Sequence, residues 1–236
     1  MLALPGVSPE IDPAALHGYL NLGYVPAPHS MFRGIEKLPP ATLFVVENDR
    51  QEMNRYWRIS PAVDANRSED DWVDQVRSGI QRAVERQMVS DVPIGAFLSG
   101  GIDSSAVVAK MAALSEQPIK TYAIGFEGGK ADEFYNELPY ARRVATLFGT
   151  DHHEIVVKPD VAALLPKLVW HMDEPIADTA FITTYLVSEF ARKDVTVILS
   201  GVGGDELFGG YRRYLGNHYQ KYLQMQPGWV RGTGGA

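Results

Sequence analysis

Short apolar runs alternate with helical patterns from residue 92 onwards, and this alternation limits the possible folds more than any other feature of the chain. The strand candidates are residues 92–98, 119–126, 153–157 and 195–199. The helix candidates are residues 104–114, 138–148, 161–171 and 182–192. Strands that are separated by helices pair in parallel through right-handed crossovers. The sequence therefore predicts an α/β domain whose parallel sheet carries helices on both faces.

An amphipathic helix is predicted ahead of the first strand. Ser68 can cap it, and Asp70 and Asp71 fall in its first turn, where acidic groups favour the helix dipole. Its apolar residues recur at every fourth position: Trp72, Val76, Ile80, Val84 and Met88. We interpret this stripe as core packing and not as a cofactor-binding face.

The first 60 residues have a different character. Seven prolines interrupt them, a short helix is predicted over 12–22, and a β-prone run over 41–46 precedes a turn at 47–50. This stretch is too small and too interrupted to close a core of its own. We predict a small β-rich N-terminal domain over 1–60, a larger α/β domain over 61–236, and a loop or truncated end in the glycine-rich tail from residue 224.

Composition excludes several kinds of site. The 236 residues contain no cysteine, which rules out disulfides, cysteine zinc sites, iron–sulfur clusters and thiol nucleophiles for this chain. A net charge of −7 argues against a broad nucleic-acid surface, because phosphate neutralisation needs clustered cations. The chain has neither an apolar run of membrane-spanning length nor the pattern of a signal peptide at its start. We expect no membrane association and a cytoplasmic location.

A glycine- and serine-rich segment follows the first predicted strand and opens a helix. It reads Ser99-Gly100-Gly101-Ile102-Asp103-Ser104-Ser105. Adjacent glycines let a backbone approach an anion closely, and the amides of the following helix N-terminus point at it. The three serines add hydroxyl donors. Ligands of open α/β sheets bind at this end of the strands, so the segment predicts a phosphate site.

A second segment of the same kind follows the fourth predicted strand. It reads Ser200-Gly201-Val202-Gly203-Gly204-Asp205-Glu206-Leu207-Phe208-Gly209-Gly210-Tyr211. Asp103 and Asp205 thus follow two different strands of one predicted sheet. Carboxylates and phosphate oxygens are the hard ligands that Mg²⁺ prefers. The two segments predict a shared magnesium site.

The first segment resembles the Ser-Gly-Gly-x-Asp-Ser signature of the PP-loop ATP pyrophosphatases. The second narrows the resemblance to the glutamine-hydrolysing asparagine synthetase family, and the likeness extends over roughly residues 1–220. It implies an adenine nucleotide alpha hydrolase-like fold for residues 61–236. Residues 1–60 resemble the end of that family's N-terminal-nucleophile glutaminase domain, with Gly18-Tyr19-Leu20 and Phe32-Arg33-Gly34 among the matching stretches.

The resemblance implies an AMP-forming carbon–nitrogen ligase. A carboxylate, aspartate or a relative, attacks the α-phosphorus of ATP, pyrophosphate leaves, and ammonia, free or derived from glutamine, then displaces AMP. The implied ATP-binding residues are Leu98, Ser99, Gly100, Gly101, Asp103, Ser104, Ser105, Ile124, Ser200 and Gly201. The implied Mg²⁺ ligands are Asp103 and Asp205, and the implied catalytic residues are these two with Glu206. The family also implies a homodimer for the full-length protein.

Three departures from the family pattern leave alternatives open. The nucleophilic cysteine of the glutaminase domain is absent, and the family's phosphate-contacting lysine falls beyond residue 236, so we expect a fragment or one part of a split system. Val202 stands where asparagine-forming members carry a glutamate, and residues 178–182 lack an aspartate-binding arginine. The alternatives are a PP-loop synthetase for a non-aspartate carboxylate, or a nucleotide-binding fragment without turnover.

Overall fold

The computed structural model describes residues 4–60, 64, 66–127, 136–158 and 160–224. It contains two compact units. One comprises Met1–Val73 and Lys158–Ser188, and the other comprises Asp74–Val157 and Glu189–Ala236. No helix within the described residues combines the length and apolar character that crossing a membrane requires.

The described elements alternate along most of the chain. In order they are α1 (Pro13–Leu22), β1 (Thr42–Glu47), β2 (Arg50–Arg55), α2 (Glu69–Gln87), β3 (Ile94–Phe97), α3 (Ile102–Leu114), β4 (Lys120–Phe126), α4 (Leu138–Phe148), β5 (Asp151–Val157), α5 (Val161–Met172), α6 (Ala180–Ala191), β6 (Val197–Leu199), α7 (Gly204–Phe208) and α8 (Arg212–Gln224). All eight strand and helix candidates after residue 92 are confirmed, and no end shifts by more than two residues. The predicted loop after Gln224 lies outside the described residues.

The first unit contains a short helix and a β-hairpin. α1 begins after Asp12, whose carboxylate accepts a hydrogen bond from the amide of Ala14 at 2.8 Å, and ends at Gly23 with φ of 80°. β1 and β2 pair in antiparallel register from Thr42–Arg55 to Glu47–Arg50. The helix over 12–22 and the first strand are confirmed, whereas β2 was not predicted, because the sequence RQEMNR has no apolar alternation.

The second unit is built on a four-stranded parallel sheet. Its strand order is β5-β4-β3-β6, so the chain moves outwards from β3 to β5 and then returns to the other side of β3. This order confirms the predicted parallel sheet. It also places the topological switch point between β3 and β6, where ligands of open α/β sheets bind.

Apolar side chains cover both faces of this sheet. One core cluster joins Val84 of α2, Val108 and Met111 of α3, and Ala141 of α4 to the strands. On the opposite face Tyr122 is fully buried, stacks on His153 at 5.4 Å and meets the ring of Phe190 edge-on at 5.8 Å. These contacts agree with the prediction of helices on both faces.

The apolar stripe of α2 serves the core over only part of its length. Val84 is buried, and Ile80 and Met88 pack against the same cluster. Trp72 and Val76 remain 40% and 38% exposed, so the interpretation of the whole stripe as core packing is wrong for the first two turns. The guanidinium of Arg67 lies 5.0 Å from the centre of the Trp72 ring, which gives this aromatic side chain a cationic neighbour instead of a core.

A partly buried ion pair ties distant parts of the first unit together. The Lys37 ammonium contacts the Glu174 carboxylate and donates to the carbonyl of Val25 at 2.6 Å. The amide of Ala177 donates to the carbonyl of Gly23 at 2.8 Å. The segment around Glu174 is thereby held against the loop that follows α1.

We expect Lys37→Met to lower the free energy of unfolding by about 2 kcal/mol, between the values typical of exposed and of buried pairs. The substitution leaves the Glu174 carboxylate, only 13% exposed, without its cation. Arg33→Met is the control, because the Arg33–Glu10 pair is more than half exposed and its loss should cost under about 1 kcal/mol. Urea unfolding of the two variants measures the difference, and equal losses would contradict the assigned role of Lys37.

Candidate functional site

Two loops meet at the switch point of the sheet. The first, residues 99–101, joins β3 to α3, and the second, residues 200–203, joins β6 to α7. β3 and β6 are adjacent parallel strands, paired from Ile94–Val197 to Ala96–Leu199. Both loops therefore leave the same edge of the sheet, as the two sequence segments predict.

The first loop passes very close to helix α4. Gly100 has φ of 81°, and a Cβ atom there would lie 2.5 Å from the carbonyl carbon of Tyr140 and 2.6 Å from the amide nitrogen of Ala141. These are backbone atoms within a helix and cannot move aside cheaply. Position 100 needs glycine both for its conformation and for this close approach.

Two serine hydroxyls fasten the first loop to the start of α3. The hydroxyls of Ser99 and Ser104 lie 2.9 Å apart, and that of Ser99 also accepts from the amide of Gly101 at 3.2 Å. Gly101 is the N-cap residue and supplies no side-chain cap to the helix. The first amides of α3 are therefore not capped by the side chain at their N-terminus, which suits an anion.

The three remaining nucleotide-site candidates, Leu98, Ser105 and Ile124, differ in exposure. Leu98 is 1% exposed as a whole residue, and its side chain belongs to the core. The hydroxyl of Ser105 is buried and has no hydrogen-bond partner within the described ranges. Ile124 is half-buried on β4, beyond Tyr122, the last β4 residue that pairs with β3. It therefore lies towards the same edge of the sheet as the loops.

The second loop packs directly on the first turn of α3. A Cβ atom at Gly201 would lie 2.5 Å from the amide nitrogen of Ser104, and one at Gly204 would lie 2.5 Å from Oδ2 of Asp103. The Asp103 carboxylate thus rests on the first residue of α7. The structure brings the two sequence segments into contact although about 100 residues separate them.

Asp205 follows Gly204 in α7, but its carboxylate is turned towards Gly210. No group of three or more potential metal-ligating side chains occurs among the residues that the structure describes. Mg²⁺ is usually bound by one or two carboxylates, and phosphate oxygens and water molecules fill its remaining coordination positions. The side chains of Asp103 and Asp205 are both half-buried near the two loops. Their carboxylates are the kind of oxygen ligand that Mg²⁺ prefers, and the binding of one ion by both stays a prediction.

Glu206 is held by a tyrosine. The hydroxyl of Tyr211 donates to Oε1 of Glu206 at 2.7 Å, and this hydrogen bond is the largest cause that lowers the pKa of Glu206. The same bond raises the pKa of Tyr211. A carboxylate with a lowered pKa is a weaker proton acceptor, so Glu206 is better suited to electrostatic stabilisation than to general-base catalysis.

A cavity of about 270 Å³ opens beside these loops. Its walls come from α2, α3 and the second loop, and Asp103, Ser200 and Gly201 form part of its lining. Most of the other lining side chains are apolar, including Ile80, Val107 and Phe208, with Gln87 of α2 among the exceptions. The cavity adjoins the Asp103 carboxylate on the side of α2.

Sequence reasoning did not identify two parts of this site. The contact of the first loop with Tyr140 and Ala141 has no signal in the sequence, because it depends on how α4 packs. The contribution of α2 to the cavity was also missed, since its apolar stripe was assigned wholly to the core. The incomplete burial of such a stripe becomes visible only in the folded chain.

Comparisons with known proteins give consistent matches. A family model described as asparagine synthase matches residues 75–232, and one described as glutamine amidotransferase domain matches residues 1–57. A putative glutamine-hydrolysing asparagine synthetase 2 of Methanocaldococcus jannaschii is 37% identical over 95% of this chain and 43% of its own length. Glutamine-hydrolysing asparagine synthetase 1 of Bacillus subtilis is 37% identical over 92% of this chain and 33% of its own length.

This chain therefore spans less than half the length of the curated relatives that it matches. Among solved structures, an NH3-dependent NAD synthetase from Campylobacter jejuni is similar with a TM-score of 0.37 and 16% identity, over 61% of both chains.

Proposed function

Because the chain belongs to the asparagine synthase family, we propose that it carries the ATP-dependent, amide-forming part of an asparagine synthetase-type ligase. The observation that supports this most directly is the contact of the two glycine loops at the switch point. There the Asp103 carboxylate rests on Gly204, beside the uncapped start of α3. This combination of uncapped amides, hydroxyls and carboxylates is suited to binding a nucleoside triphosphate.

The proposed reaction has two steps. A carboxylate oxygen of the acceptor attacks the α-phosphorus of ATP, and the bond to the bridging oxygen breaks so that pyrophosphate leaves with its electron pair. Ammonia then attacks the acyl carbon of the acyl-adenylate, and AMP departs while one proton is released. The chain's own contribution is to place the phosphates and to stabilise the charge that develops on pyrophosphate.

The roles of individual residues remain proposals. Ser99, Gly100, Gly101 and Ser104 would hold pyrophosphate, and Leu98, Ser105, Ile124, Ser200 and Gly201 would contact the rest of the nucleotide. Asp103 and Asp205 would hold Mg²⁺, which when bound supplies positive charge against the phosphate oxygens. The buried hydroxyl of Ser105, without a partner in the described part of the chain, supports a polar ligand nearby.

The division into residues 1–60 and 61–236 is likewise a proposal, and the family matches over 1–57 and 75–232 support it. These 236 residues contain no cysteine, so we propose that they accept ammonia in the amide-forming step and do not themselves release it from glutamine. A homodimer for the full-length protein, a cytoplasmic location and the lack of a nucleic-acid partner stay predictions.

Calorimetry with ATP in the presence and in the absence of Mg²⁺ tests the proposal. We expect ATP to bind, and its affinity to fall at least tenfold when EDTA removes the metal. A pyrophosphate-release assay with ammonium and a panel of carboxylic acids tests turnover. Binding without release for any acid would identify a nucleotide-binding fragment, and the lack of any ATP binding would contradict the proposal altogether.

A further inference from the structure

We propose that Arg142 and Glu154 are positioning residues for the first glycine loop, and that they act through helix α4, whose first turn contacts Gly100. Neither residue belongs to the two glycine- and serine-rich segments. The inference rests on the proposed function, because it concerns the loop that is proposed to hold pyrophosphate. It goes beyond that function by assigning a role in nucleotide affinity to a helix and a strand outside the two segments.

The lengths of α4 and β5 bring the two side chains to the same level. Gly149 and Thr150 form the short connection between these elements, so the strand runs back alongside the helix. Arg142 lies six residues before the end of α4, which is about 9 Å along the helix axis. Glu154 lies three residues after the start of β5, which is about 10 Å along the strand. The two residues are therefore at about the same distance from the turn and can meet.

The contact between them is a bidentate ion pair. Nε of Arg142 donates to Oε1 of Glu154 at 2.8 Å, and Nη2 donates to Oε2 at 2.6 Å. Two parallel hydrogen bonds of this kind fix the orientation of both groups as well as their distance. The hydrogen bond from Arg142 is the largest cause that lowers the pKa of Glu154, so the carboxylate is ionised at neutral pH. The pair therefore joins α4 to the edge strand of the sheet at neutral pH.

The Glu154 carboxylate is also held from its other side. Nε2 of His152 lies 3.1 Å from Oε1 of Glu154, and Nδ1 lies 2.9 Å from the hydroxyl of Thr121. Thr121 is fully buried on β4, and its hydroxyl lies 2.9 Å from that of Thr150. Burial is the largest cause that lowers the pKa of His152, and a neutral imidazole that donates to Glu154 accepts from Thr121. The carboxylate that receives Arg142 is thus attached to two adjacent strands.

Arg142 follows directly after a residue that the first loop contacts. The amide nitrogen of Ala141 would lie 2.6 Å from a Cβ atom at Gly100. Apolar packing holds the same turn on the sheet, because Ala141 is fully buried and Leu138 lies over Gly125, where a Cβ atom would be 2.6 Å from its Cδ1. Such packing limits the distance between helix and sheet, whereas a directional pair also limits sliding of the helix along its axis. A shift of α4 moves the surface on which Gly100 rests, and with it the amides of the loop.

A purely stabilising role of the pair predicts a different result. The side chain of Arg142 is 61% exposed, and exposed ion pairs contribute little to stability. Loss of the pair should therefore leave the fold nearly as stable as before, while the loop that it positions shifts. A positioning role is recognised by changes at the loop amides and in ATP affinity that are not matched by a loss of stability.

Arg142→Met and Glu154→Gln in the full chain test the proposal. In NMR spectra of the protein without ATP, we expect the amide resonances of Gly100 and Gly101 to shift in both variants. In calorimetry with ATP and Mg²⁺, we expect each variant to bind about fivefold more weakly than the wild type. Arg142→Lys should fall between, because an ammonium keeps the charge but cannot form the two parallel hydrogen bonds. Arg143→Met, at the next and likewise exposed position of α4, is the matched control and should leave resonances and affinity unchanged.

Urea unfolding completes the test, and the midpoint of Arg142→Met should lie within about 0.5 M of the wild-type value. A larger drop would assign the pair to stability and overturn the proposal. Unchanged loop resonances in both Arg142→Met and Glu154→Gln would overturn it as well, as would unchanged ATP affinity in both or an equal loss in Arg143→Met. The NMR measurement needs no nucleotide. Failure of the wild type to bind ATP would therefore contradict the proposed function, while the resonances still decide whether the pair positions the loop.

Discussion

Gly100→Ala is expected to abolish measurable ATP binding and to lower the free energy of unfolding by about 4 kcal/mol. The substitution has two separate costs. An alanine at φ of 81° adopts the left-handed region at about 1–2 kcal/mol, and overpacking of a methyl group typically adds about 1–3 kcal/mol. Its Cβ atom would lie 2.5 Å from backbone and side-chain carbons of Tyr140, so either the loop or the start of α4 must move. Movement of the loop displaces the amides that are proposed to hold pyrophosphate.

Gly149→Ala is the matched control for the conformational cost alone. Gly149 ends α4 with φ of 62°, and nothing lies within 4 Å of the Cβ position. We expect this variant to lose about 1 kcal/mol and to keep its ATP affinity. Urea unfolding gives the two stabilities, and calorimetry gives the affinities. Equal losses of stability in both variants would show that the close approach of Gly100 to α4 does not exist in solution.

The order of strands and helices was predictable because the signals that determine it are local. Apolar runs and helical periodicity mark each element, and Gly149 marks the end of α4. The positions of the two glycine loops then follow from the rule that ligands bind at the carboxyl ends of parallel strands. Several element ends shifted by one or two residues because capping and fraying depend on neighbours that periodicity does not reveal.

The arrangement inside the site was less predictable because its contacts are non-local. Three glycines of the two segments are required for different reasons. Gly100 combines a positive φ with a close approach to α4, whereas Gly201 and Gly204 have no positive φ and are limited by contact with the first turn of α3. A sequence motif shows that glycine is present but not which neighbour requires it. The cavity was missed for the same reason, since its wall comes from three separate segments.

These contacts also explain why Asp103 is the most informative residue of the site. It lies at the start of α3, touches Gly204, and forms the charged part of the cavity lining. In the proposed function, Asp103 thus holds the metal ion directly beside the loops that hold the phosphates. A substitution that keeps the shape of the Asp103 side chain but removes its charge therefore tests its role in binding separately from its role in the fold.

Asp103→Asn is expected to weaken ATP binding about 100-fold in the presence of Mg²⁺, equivalent to about 2.8 kcal/mol. The amide preserves the shape of the side chain and removes the negative charge that a magnesium ion prefers. Stability should change by less than about 1 kcal/mol, because no salt bridge involves Asp103 within the described residues. Calorimetry with and without Mg²⁺ measures the effect, and Asp91→Asn, at an exposed position of the same unit, is the control.

Gly204→Ala affects the same carboxylate from the opposite side. Its methyl group would occupy the space of the Asp103 carboxylate, which can rotate away because it is the end of a side chain. We expect this variant to lose about tenfold in Mg²⁺-dependent ATP affinity while it remains folded. If both Asp103→Asn and Gly204→Ala kept the affinity of the wild type, the carboxylate would have no part in nucleotide binding. If only Gly204→Ala kept it, Asp103 would act from a position that does not depend on its contact with α7.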